Sequence, residues 1–130
     1  MLFFLYGQDI WSKKQKIRQI TQEFVKKADP SRMNLLVLES GQVDDEQIRA
    51  VITASPFMAR KRMIVLKNII TQVRRKALSA DLLDILQNLK EHTVVVVSED
   101  GEKPKKWSSQ SAQALWEFLE KHAKTEVFRP

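Results

Sequence analysis

Leu2-Phe3-Phe4-Leu5-Tyr6-Gly7-Gln8-Asp9-Ile10-Trp11-Ser12 opens the chain, and its reading decides the fold. Five apolar residues run without alternation, the pattern of a strand covered on both faces, and a helix-period stretch follows. Nucleotide-binding α/β proteins keep their phosphate loop at such a first strand-to-helix turn. A working loop needs several glycines, so that backbone N–H groups can wrap the phosphates, then a Lys and a Ser/Thr hydroxyl for Mg²⁺. Here Gly7 stands alone, Asp9 puts negative charge where a phosphate would lie, and no Gly-Lys-Ser/Thr follows. The sequence has the outline of a nucleotide switch without its chemistry, which points to a partner-binding role.

Working outward, four more candidate strands appear: Asn34 to Glu39, Arg62 to Lys67, Thr93 to Ser98 and Thr125 to Phe128. Helical segments alternate with them. The first runs from Asp9 or Ser12 to Lys27, with Ile10, Ile17, Ile20, Phe24 and Ala28 as its apolar stripe and Lys13, Lys14, Lys16 and Arg18 over the rest of its first half. Asp29-Pro30-Ser31 ends it. A second helix starts near Asp44-Asp45-Glu46, acids suited to the positive end of the helix dipole, with Val43, Ile48, Val51 and Ile52 facing inward. Ser55-Pro56-Phe57-Met58-Ala59 interrupts it and is expected to open one more short helical turn. Thr71 to Lys76 reads as a basic loop or helix start, Leu78 to Lys90 as a third helix and Lys106 to Lys121 as a last one. Strand-helix alternation with buried strands predicts an α/β fold: a parallel five-stranded sheet in a three-layer sandwich.

The totals agree. One domain fits 130 residues, and 43% hydrophobic with 29% charged residues is a globular balance. With no cysteine, disulfides and thiolate metal sites are excluded, and a reducing, cytoplasmic setting fits. No apolar run reaches membrane-spanning length. A net charge of +6 makes an acidic partner plausible.

Catalytic constellations are missing from the pattern. The third strand ends Leu66-Lys67-Asn68-Ile69, with no carboxylate for Mg²⁺ or for phosphoryl acceptance. His92 and His122 stand outside any metal-ligand spacing, and Ser108, Ser109 and Ser111 have no glycine elbow around them. No cofactor is expected, and neither is an enzyme.

Three stretches together resemble one family. Phe4-Leu5-Tyr6-Gly7-Gln8-Asp9, Ser55 to Asn68 and Val127-Phe128-Arg129-Pro130 are similar to the N-terminal domain of the bacterial DNA polymerase III delta subunit, a clamp-loader protein. The resemblance spans nearly the whole chain, and the middle motif is its most specific piece. It implies an AAA+ (P-loop NTPase-like) fold with a degenerate phosphate loop and strand order 5-1-4-3-2. It also implies that Phe57, with Pro56 before it and Met58 beside it, is an apolar plug presented by a short helix to a pocket on the sliding clamp (the beta subunit). Proline stands where some members carry leucine. The family's lid and collar domains have no counterpart here, so the chain is expected to be an excised domain or a short relative, and other clamp-loader subunits are further expected partners.

Arg60, Lys61 and Arg62, next to Phe57, are placed to pair with acids at a pocket rim. Two other readings stand beside the plug. Phe57 and Met58 could simply close the core, in which case they would be buried. Alternatively the chain is a basic α/β nucleic-acid-binding domain without clamp contact, using Lys13, Lys14, Lys16, Arg18, Arg74, Arg75 and Lys76 on phosphates.

Overall fold

The structure, a computed structural model, describes residues 1–39, 41, 44–74 and 81–130. Ten elements follow in the order β1 (Leu2–Tyr6), α1 (Ile10–Ala28), β2 (Leu35–Glu39), α2 (Asp45–Thr53), β3 (Arg62–Lys67), α3 (Ile69–Arg74), α4 (Asp81–Gln87), β4 (Thr93–Glu99), α5 (Gln110–His122) and β5 (Lys124–Val127). The five strands form one sheet in the order β2-β3-β4-β1-β5 with every pairing parallel, which is the expected 5-1-4-3-2 order.

Handedness then assigns the layers. The chain leaves β1 toward β2 but returns through β3 and β4 toward β5. Right-handed crossovers therefore put α1 on one face and all later helices on the other. The two cores agree. Phe24 of α1, with Ile17 and Ile20, packs on Leu5, Met63, Val65, Val94 and Val96. Across the sheet, Ile48, Ile69, Leu82, Leu115 and Leu119 cover Phe4, Ile64, Leu66, Val95 and Val97. All seven residues of β4 are buried, as its unbroken valine run requires. Trp116 of α5 meets Phe4 edge-on at 4.9 Å and Tyr6 at 4.8 Å. Such pairs add about 0.5–1.5 kcal/mol each to area burial and fix β1 beneath α5.

Several expectations need correction. Ile10 does not join the α1 stripe: it is 42% exposed, while Lys13, one turn on, takes the buried position. Of the two readings of the basic stretch after β3, loop or helix start, the described residues take the second, in a separate helix, α3. The last helix begins later than expected, because Ser109 is its N-cap and accepts from Ala112 N. Val43, and Leu78 and Ser79 of the expected third helix, lie outside the described residues. No described helix is long and apolar enough to cross a membrane.

Candidate functional site

Connections leave β1 and β4 in opposite directions, so the crevice beyond their C-terminal ends is the topological switch point where α/β sheets bind ligands. In this chain, internal bonds fill it. Asp9 caps α1 with its own carboxylate, accepting from Ser12 N at 3.1 Å and Ser12 Oγ at 2.7 Å; these bonds hold the Asp9 carboxyl below its usual range. A phosphate would need the same donors. The Asp9 N–H is taken as well, by the Phe128 carbonyl at 3.1 Å. Gly7 has φ +132°, and a Cβ there would fall 2.0 Å from that same carbonyl oxygen. The single glycine of the turn thus serves the close approach of the chain's own C-terminal segment.

Lys13 completes the filling. Expected among DNA contacts, it is instead 1% exposed. Its ammonium donates to the Gly7 carbonyl (3.3 Å), the Glu99 carbonyl (2.8 Å) and Asp100 Oδ1 (2.6 Å). Asn68, where an NTPase strand would end in an acid, donates from Nδ2 to Asp100 Oδ2 at 3.1 Å and accepts from Asp100 N at 2.9 Å. Burial pushes the Asp100 carboxyl up, but the bonds from Lys13 and Asn68 more than reverse it, and it lies below its usual range. Behind it, the Glu99 carboxylate accepts from Ile70 N at 3.1 Å and Thr71 N at 3.3 Å, opening α3. Burial nevertheless raises the Glu99 carboxyl to about 7. Among the described residues no group of His, Asp and Glu could hold a metal ion.

At the opposite end of the sheet, the segment between α2 and β3 gathers Pro56, Phe57, Met58, Arg60 and Lys61. It forms a tight turn, not the short helix the resemblance implied. The reason is a side chain that sequence reasoning did not find. Asn34 Oδ1 accepts the Phe57 N–H at 2.6 Å, and Asn34 Nδ2 donates to the Phe57 carbonyl at 2.8 Å. The carboxamide pairs with the Phe57 N–H and carbonyl as a neighbouring strand would, which holds this residue against the sheet. Asn34 is fully buried and is itself held, by donating from N and Nδ2 to Asp29 at 2.8 and 3.1 Å. Burial raises the Asp29 carboxyl, but the donors from Asn34 and Ser31 bring it below its usual range. The Asp29-Pro30-Ser31 stretch therefore both ends α1 and anchors this turn.

The side chains on the turn point outward. Phe57 is 54% and Met58 90% exposed, and Met58 has a left-handed φ of 51°. A residue with a Cβ in that region costs about 1 kcal/mol, offset here by the fastened Phe57 backbone before it. Pro56 is half-buried; Arg60 and Lys61 are exposed. Arg62 is not on the turn. It is the first residue of β3, half-buried, with its Nε buried and unpartnered among the described residues. Of the other expected phosphate contacts, Lys14 and Arg18 are exposed, and Lys16 is half-buried with Glu126 at 3.9 Å. Arg75 and Lys76 lie outside the described residues, as does the Arg74 side chain.

With this geometry in hand, the chain can be set beside known proteins. Residues 3–127 match the family model described as DNA polymerase III, delta subunit. Among solved structures, the Bacillus subtilis DNA clamp loader delta protein superimposes with a TM-score of 0.69 at 24% identity, over 98% of this chain and 38% of that one. A DNA polymerase III gamma subunit-related protein of Thermotoga maritima gives 0.61 at 14% identity, over 98% of this chain and 40% of that one. At these identities the two structures show a shared fold, and the chain spans well under half of either. No curated protein sequence matches it significantly. The length of the family match is what assigns it: this chain belongs to the DNA polymerase III delta subunit family.

Proposed function

We propose that the chain is a non-catalytic, sliding-clamp-binding module of the replicative clamp loader, with Phe57 and Met58 as the apolar plug and Pro56 shaping its approach. The observation that carries this reading is the exposure of Phe57 and Met58 on a turn whose backbone is fixed from beneath by Asn34. Met58, held in water at a cost in backbone strain, and the exposed half of Phe57 add little to this domain's own stability. They suit a pocket on a partner, where a few such anchors supply most of the binding energy. Pre-setting the turn lowers the ordering cost of binding. Arg60 and Lys61 stand at the edge of the plug and act on encounter rate through acids at the pocket rim.

The filled switch point supports the non-catalytic half of the proposal, since Asp9, Lys13, Asn68 and Asp100 are engaged with one another and with the backbone. The DNA-binding alternative is weakened by the loss of Lys13 from the surface. The test is co-purification with the cognate clamp. The Phe57→Ala, Met58→Ala double variant should be lost from the complex while eluting, on its own, at the same volume as the folded parent. Undiminished co-purification would reject the plug.

A further inference from the structure

Between α1 and the N-terminal ends of the strands lies an open groove of about 530 Å³, on the face that α1 covers alone among the described helices. Its floor is apolar, built from Phe3, Ile20, Phe24, Met63 and Val94. Its rim is basic, with Lys16 and Lys27 on α1, Arg60 and Lys61 before β3, and Lys124 on β5. Met1 also lines the groove; against these cations stand Glu23 of the lining, 3.8 Å from Lys27, and Glu126 just outside it, 3.9 Å from Lys16. Both pairs are long and solvent-exposed, so they hold their partners weakly. Arg60, Lys61 and Lys124 pair with no carboxylate among the described residues. Along α1 the groove runs from Lys16 to Lys27, three helical turns or roughly 16 Å, the span of about five extended residues.

We infer that this groove is a docking site for an acidic peptide segment of a protein partner, one that carries apolar side chains for the floor and carboxylates for the rim. Charge complementarity chooses the occupant: half-buried Phe3 and Ile20, over buried Phe24, Met63 and Val94, leave an apolar strip for apolar side chains, and the unbalanced rim selects acids around them. A nucleic acid strand is the poorer fit. Sequence-tolerant strand binding relies on exposed aromatic platforms, whereas Phe24 is 8% exposed and the half-buried Phe3 ring already has the Lys124 ammonium over it at 5.8 Å. The site adjoins the Phe57 turn through Arg60 and Lys61 but does not depend on clamp binding.

The test uses the full chain and fluorescein-labelled 12-residue peptides followed by anisotropy. The first peptide alternates Glu with Leu and Phe, the second replaces Leu and Phe with Ser, and the third replaces Glu with Lys. The first should bind, and the other two at least tenfold more weakly. Lys27→Glu with Lys124→Glu should weaken the first peptide at least tenfold. Lys14→Glu with Lys106→Glu, the same charge change at exposed positions off the groove, should alter it less than threefold. Phe57→Ala should leave it unchanged, which separates this site from the plug. Equal binding of the Ser peptide, equal loss in both charge-reversal pairs, or displacement by an oligothymidylate strand with the same variant pattern would each overturn the proposal.

Discussion

The carboxamide of Asn34 and the peptide of Phe57 bond to each other in both directions, 23 residues apart in sequence. Only one orientation of the amide satisfies this, with oxygen toward the Phe57 N–H and nitrogen toward its carbonyl and Asp29. Through its own carbonyl Asn34 also accepts from Met63 N at 2.8 Å, so a single residue ties the end of α1, the start of β3 and the turn together. The turn's precision comes from the core, while its side chains remain in water.

Asn34→Ala should therefore cost about 2–3 kcal/mol, because Asp29 and the Phe57 peptide lose their partners in a buried place. Asn34→Asp should cost at least as much, since its carboxylate would face both the Phe57 carbonyl and Asp29. Urea unfolding measures both, and a loss below about 0.5 kcal/mol in either would remove the clamp-like role of this side chain.

Met58 separates stability from binding. Glycine adopts a left-handed φ freely, so Met58→Gly should leave folding unchanged or raise it by up to about 1 kcal/mol. Clamp binding should fall about tenfold. Thermal melts beside binding isotherms check this, and a variant that both melts lower and binds normally would place Met58 in the packing.

Gly7 admits no side chain. With Phe128 in the way and φ at +132°, Gly7→Ala must displace the C-terminal segment or the turn. The expected cost is roughly 3 kcal/mol, read by chemical denaturation, with the Asp9–Phe128 bond broken. A neutral outcome would show that the segment docks more loosely than described.

Glu99 should make stability depend on pH. Its folded-state pKa, about 7, lies above the ordinary glutamate value of 4.5, so the native state binds the proton more tightly than the unfolded chain does. Its contribution is complete below about pH 4.5 and is lost as pH rises toward 7, by roughly 3 kcal/mol at most. Glu99→Gln should flatten that decline between pH 5 and 8 in urea titrations. An unchanged slope would put its origin elsewhere.

β1, β3 and β4 were legible because strands covered on both faces write themselves as unbroken apolar runs, Val94 to Val97 above all; the edge strands β2 and β5 are largely exposed, and β5 has no such run. The α3 helix was less legible, being six residues of mixed character whose start is held by Glu99, far away in sequence. Lys13 carried a signal that its charge concealed: it lies four, seven and eleven residues before Ile17, Ile20 and Phe24, in phase with the buried stripe. The exposed pair Phe57 and Met58 could be singled out by resemblance, but not their mounting. A side chain that pairs with a distant peptide leaves no periodicity, so Asn34 and Asp29 looked like an ordinary strand start and helix end.

The most direct test of the central claim is the equilibrium affinity of Phe57→Ala for the cognate clamp, measured by calorimetry beside its melting temperature. A half-exposed anchor predicts a dissociation constant raised about 30-fold or more, with melting within a few degrees of the parent. Full affinity in the variant, or affinity lost only together with the fold, would contradict the account.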